Sequence, residues 1–102
     1  MIRNVVLGRL REAPDEESAR HDRERLEQAL AGIAALDLPG LVDCHVGRDA
    51  GIRAGAWSFA ITNDFADVDA YRAYDADEEH GRHRQVLVEV SDPLARVQFE
   101  IA

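Results

Sequence analysis

The first apolar run of the chain, IRNVVLGRL over Ile2–Leu10, has the length and β-branched content of a strand. Alternation puts Ile2, Asn4 and Val6 on one face and Val5 and Leu7 on the other. A sheet with one solvated face shows a cleaner division of apolar from polar residues. The run therefore predicts a sheet covered on both sides, and the rest of the chain must supply the covers.

One cover is read directly. Pro14 ends the strand, Asp15 is placed to cap a helix, and Glu16 and Glu17 favour its positive end. Leu26, Ala29, Leu30, Ile33 and Ala34 then recur at three- and four-residue spacing, which predicts a helix to about Leu36, stopped by Pro39 and Gly40. Leu41–Arg48 predicts a second strand, with Val42, Cys44 and Val46 alternating against Asp43 and His45. After the glycine-bearing turn RDAGIRAG, Ala56–Asp64 predicts a third strand, hairpin-linked to the second, with Trp57, Phe59 and Ile61 on one face. Asp67 is placed to cap a short helix through Tyr74, and Asp77 another reaching about Val90. Leu94–Ile101 predicts the last strand. The order is β-α-β-β-α-β with the second α broken in two: an α+β, ferredoxin-like fold with one antiparallel sheet and helices on one face, as a single domain over residues 1–102. The bare second face is expected to be covered by a second copy, as a homodimer with its sheets facing.

Charge narrows the partners. The formal net charge is −8, and all twelve basic residues are arginine. An acidic chain without a basic cluster is not expected to bind nucleic acid or an anionic membrane. Without lysine there is no Schiff-base nucleophile and no anchor for pyridoxal phosphate. No sequence signature of haem, flavin or any other cofactor is visible. Cys44 is the only cysteine, so an internal disulfide and a Cys-based zinc cage are excluded, which suits a reducing cytoplasm; its expected role is packing. The N-terminal run lacks the pattern of a signal peptide, and a cytoplasmic location is expected.

Several segments together resemble a known family. MIRNVVL, LPGLVDCHVGRD, GAWSFAITNDFADVDAYRAY and the EEH that follows are similar, in order and spacing, to the stress-responsive A/B barrel (Dabb) family, also called dimeric α/β-barrel proteins. The resemblance implies a ferredoxin-like protomer and a dimer whose sheets close a barrel. Most bacterial members have no assigned reaction, so it implies a small stress-responsive protein of undefined activity, holding a small apolar molecule between helices and sheet. One branch cyclises polyketides with a histidine base and a tyrosine six residues earlier, a spacing matched here by His80 and Tyr74. Where that branch has a histidine on the first strand this chain has Asn4, and where it has a second histidine this chain has Asp77. Similar barrels also act as cofactor-independent oxygenases.

On that reading His80 is the candidate base and Tyr74 the donor to an enolate or oxyanion, with Asn4 orienting a carbonyl. Trp57 and Phe59 are candidate lining residues. The Tyr74 hydroxyl and His80 ring are expected within hydrogen-bond reach, opening on one sizeable pocket. His80 and His83 lie three apart, but Gly81 separates them and no further histidine stands at ligand spacing, so no metal is assigned.

Overall fold

The computed structural model describes residues 1–102, and three aspartates begin its three helices. The elements run β1 (Ile2–Leu10), α1 (Glu16–Ala34), β2 (Leu41–Arg48), β3 (Phe59–Phe65), α2 (Val68–Ala76), α3 (Glu78–Val90) and β4 (Ser91–Glu100). Each capping carboxylate accepts from the backbone N–H three residues on: Asp15 from Ser18 at 2.7 Å, Asp67 from Ala70 at 2.8 Å and Asp77 from His80 at 2.9 Å. Each satisfies a donor that the helix cannot, worth about 1 kcal/mol.

The sheet order is β2-β3-β1-β4, antiparallel throughout, which is the ferredoxin-like arrangement. β1 is central, which is why it needs apolar residues on both faces. Leu26, Ala29, Leu30 and Ile33 of α1 and Leu87 and Val90 of α3 pack on Phe59 and Ile61 of β3, with Val6, Leu10, Cys44 and Val46 around them. Ala34, expected in the α1 stripe, is instead exposed at the helix end. A buried charge ties α1 to the residue that follows β1: Asp22, 3 % exposed, accepts two bonds from Arg11 at 2.7 and 3.2 Å. That fork holds the Asp22 carboxyl below the usual carboxylate range against the opposing effect of burial.

Two strand starts and one side-chain alternation differ from the sequence expectation. β3 begins at Phe59 because Gly55 turns at φ 81° and Ser58 bonds outside the ladder, its N–H to Gly8 O and its Oγ to Leu10 N–H, both at 2.8 Å. Trp57 thus precedes the strand and does not share the face of Phe59 and Ile61. Val42 is 58 % exposed because the β2–β3 register shifts between Leu41 and Asp43, which removes it from the alternation. β4 follows α3 without a loop and contains Pro93, whose missing N–H is tolerated on an edge strand beside the register shift between Gly8 and Leu10.

On β4 the apolar set faces away from the helices. Ala95, Val97 and Phe99 pair with Leu7, Val5 and Arg3 of β1 on the open face, while Arg96 and Gln98 stand on the helix face opposite Val6 and Asn4. Leu7, Val97 and Phe99 are 42, 54 and 45 % exposed.

Gly8 pairs with Phe59, whose ring lies where a side chain on Gly8 would project; a Cβ there would stand 2.1 Å from the ring. Gly8→Ala is expected to displace a core aromatic and cost about 1–3 kcal/mol, read as a lower urea midpoint. An unchanged midpoint would contradict this packing.

Candidate functional site

Asp77 determines how the two halves of the broken helix meet. Its N–H donates to the Tyr74 carbonyl at 3.1 Å, and its carboxylate accepts from His80 N–H at 2.9 Å. One extended residue (φ −64°, ψ 135°) therefore closes α2 and opens α3. Tyr74 and His80 are fixed from both sides of it and end on one wall. Their rings stack with centroids 3.9 Å apart at 31°. Both are buried, at 2 and 7 % exposure.

The stack replaces the expected hydrogen bond. The Tyr74 hydroxyl is turned to the sheet, where it accepts from Asn63 Nδ2 at 3.3 Å. Asn63 belongs to a cross-strand row, Gln98–Asn4–Asn63–Cys44, running over β4, β1, β3 and β2 on the helix face. Gln98 Nε2 donates to Asn4 Oδ1 at 2.9 Å, and Asn4 Nδ2 donates to Asn63 Oδ1 at 2.8 Å. Asn63 Nδ2 also lies 3.4 Å from Cys44 Sγ. Every amide in the row points the same way, so the last donor is aimed at Tyr74 Oη. The Tyr74 proton then has no acceptor among the protein's own groups and is free for another molecule.

Burial sets the charge states. The Tyr74 phenol is pushed up to about 12, chiefly by desolvation, so it is a hydroxyl donor and not a phenolate. His80 is lowered from 6.5, first by burial and then by the Arg84 guanidinium; Asp75, the Tyr74 carbonyl and Asp77 oppose the shift. The result is a neutral imidazole, the form a proton acceptor needs. His80 Nδ1 is buried and makes no hydrogen bond. Cys44 is raised by burial, which keeps its thiol protonated.

Tyr71, Tyr74, His80 and Asn4 line one cavity with apolar Val6, Ile33, Ile61, Leu87 and Leu94, and its charged lining is Asp75, Arg84 and Arg96. The space is about 30 Å³, room for one or two waters and not the sizeable pocket expected. Phe59 belongs to the core and does not line this cavity, but it borders, with Trp57, a separate hollow. That hollow, about 500 Å³ on the open sheet face, is also lined by Leu7, His45, Ala60 and Thr62. The Trp57 ring lies under Arg9, with the guanidinium carbon 4.9 Å from the centroid. His83 packs against Gly32 of α1 and bonds Glu79 at 2.8 Å, apart from the cavity His80 faces. No three His, Cys, Asp or Glu side chains converge on a point where a metal ion fits.

Asn63, Gln98 and Arg96 were not among the residues the sequence pointed to. Asn63 had a signal: it continues the alternation of Phe59 and Ile61 as an amide at a core position. Gln98 and Arg96 had none, because nothing in β4 alone says which face meets the helices.

The sequence model of the stress responsive A/B barrel domain matches residues 2–101. No curated protein sequence matches the chain. Among solved structures, a dimeric ferredoxin-like protein of unknown function from Thermobifida fusca is 27 % identical, with TM-score 0.81, covering 98 % of this chain and 90 % of its own. A dimeric protein of unknown function and ferredoxin-like fold from Bacteroides fragilis is 21 % identical, with TM-score 0.78 and coverages of 98 and 95 %. SnoaB, a cofactor-independent oxygenase from Streptomyces nogalater, is 20 % identical, with TM-score 0.67 and coverages of 99 and 92 %; at that identity it shares the fold. No helix is long and apolar enough to cross a membrane.

The lowered His80 has a consequence for stability. Between its folded value and 6.5 the unfolded chain binds a proton that the folded chain refuses, so stability falls as pH drops through that window. Asp22 and Asp64, held below 3.8 by Arg11 and Arg3, lose their contribution only further down as they protonate. Urea midpoints taken between pH 7 and about pH 5 are expected to fall more steeply for wild type than for His80→Gln. Parallel slopes would show that His80 is not buried neutral.

Proposed function

The chain belongs to the stress responsive A/B barrel domain family, and we propose that it works as a homodimer whose helix–sheet cavity binds a compact carbonyl compound. His80 accepts a proton from the carbon beside the carbonyl, and Tyr74 donates to the oxygen on which charge develops. The single observation that carries this reading is the buried stack of His80 on Tyr74. It places a neutral imidazole with an unpartnered nitrogen beside a hydroxyl whose proton is unused. The cavity's size favours a small reacting group over a long folded chain. Asn4 has both amide ends committed to the row, so its role is to hold Asn63 and, through it, Tyr74.

The dimer forms through the open sheet face. Only 16 of 102 residues are buried, and the surface is 6418 Å², against about 5,700 Å² for a monomer of this mass. The principal extents, 42 × 30 × 18 Å, are those of a two-layer slab lacking its third layer. The exposed Leu7, Val97 and Phe99 make the apolar part of that face, and the Arg3–Asp64 pair at 2.7 Å lies on it across β1 and β3. The dimeric relatives from Thermobifida fusca and Bacteroides fragilis support the same assembly.

Light scattering is expected to give a dimer at micromolar concentration, and Val97→Glu a folded monomer by circular dichroism. A wild-type monomer contradicts the assembly. Exchange of the methylene protons of methyl acetoacetate into D₂O, followed by proton NMR, is expected to run faster with the protein than in buffer. His80→Gln is expected to lose about 10²–10⁴-fold of that acceleration. The base assignment fails if wild type gives only the buffer rate, or if His80→Gln matches wild type.

A further inference from the structure

The geometry points to a short oxo-carboxylate as the cavity's ligand class, with its carboxylate held by Arg96 at the rim and its ketone turned in toward Tyr74 and His80. The inference rests on the carbonyl-binding reading of the same cavity and adds the anion. Arg96 stands on the helix face of β4, in a row with Val6, Ile61 and Val46 that is otherwise apolar. It makes no ion pair and no side-chain hydrogen bond, although the chain carries 20 carboxylate side chains against twelve arginines. Seven arginines are paired with carboxylates and Arg9 lies over Trp57. Of the remaining four, Arg20, Arg53, Arg72 and Arg96, only Arg96 lines the cavity.

What the cavity leaves unsatisfied is chiefly donor capacity. The Tyr74 hydroxyl proton has no acceptor, since its oxygen is already engaged by Asn63. The Arg96 guanidinium has no carboxylate. Arg84 adds positive charge, though Asp75 holds it at 2.7 Å. The charges of Arg96 and Arg84 both reach the Tyr71 hydroxyl, where they oppose the effects of burial and Asp75. Neither ring nitrogen of His80 is engaged by a side chain, and Nδ1 is buried without a partner in a residue more than nine-tenths buried, so the neutral ring has an acceptor to offer. A set of donors beside one base fits a ligand with a carboxylate, a ketone oxygen and a proton to give up. The inner space of about 30 Å³ limits what can enter to the small ketone end and leaves the carboxylate at the exposed arginine. An ammonium or guanidinium ligand finds only Asp75 there, and that carboxylate is already paired with Arg84.

The test compares 4-oxopentanoate with its methyl ester by NMR titration of the dimer at low salt. The two differ in the charge that Arg96 is proposed to read. The acid is expected to bind about tenfold or more tighter than the ester, the size of a charge-assisted hydrogen bond. Arg96→Gln is expected to bring the acid down to the ester's level. Arg72→Gln, which removes an unpaired arginine of α2 away from the cavity, is expected to leave the acid's advantage intact. Equal affinity of acid and ester in wild type overturns the proposal, as does an advantage that survives Arg96→Gln or is lost equally in Arg72→Gln. If the ester binds and methyl acetoacetate exchanges in a His80-dependent way while the acid gains nothing, the anion inference fails alone. If neither probe binds, the carbonyl-binding reading fails with it.

Discussion

A chain of three amides, two of them buried and the third on the exposed edge strand, underlies the site. Gln98, Asn4 and Asn63 stand on three neighbouring strands in one register row; Gln98 donates to Asn4, Asn4 donates to Asn63, and Asn63 donates to Tyr74. Asn4 and Asn63 are 4 and 1 % exposed, so an amide left unpaired there would carry most of its desolvation cost. The row therefore fixes more than one contact. It ties edge strand β4 to the centre of the sheet in a single register, and it decides which way the Tyr74 hydroxyl presents its proton. Asp77 holds the other end of the same site, since its N–H and carboxylate bind the residues that stack.

The two faces of the sheet carry different chemistry. The helix face is packed around α1 and α3 and gives its remaining space to a small cavity with amides, tyrosines and a histidine. The open face carries Leu7, Val97 and Phe99 with a broad hollow beside Trp57. The same β4 residues produce both. Odd positions are apolar and look outward; Arg96 and Gln98 look in, where a monomeric edge strand would ordinarily place its apolar side. That inversion makes sense for a sheet whose outer face meets a second copy and whose inner edge borders a polar cavity.

Much of this was legible in the sequence. The element order, the three aspartate caps, the α1 stripe through Ile33 and the two-sided β1 follow from local rules that tertiary packing did not override. Tyr74 and His80 were paired through the family resemblance, and Asp77, readable as the cap of the second helix, is what brings them together. The orientation of Tyr74 was not readable: it depends on Asn63, which is remote in sequence and joined only through the sheet. The placement of Trp57 failed because Ser58 bonds outside the ladder and interrupts the alternation. Arg96 and Gln98 were invisible because β4 is amphipathic in either orientation, and only the register with β1 says which side faces the helices.

The central claim is that His80 is held neutral and buried in a cavity whose tyrosine proton is free. Long-range ¹H–¹⁵N NMR of the imidazole through an acid titration tests it most directly. A His80 midpoint below the ordinary value of 6.5 is expected. A midpoint at or above that value would mean a solvated or carboxylate-paired ring, and would contradict the account.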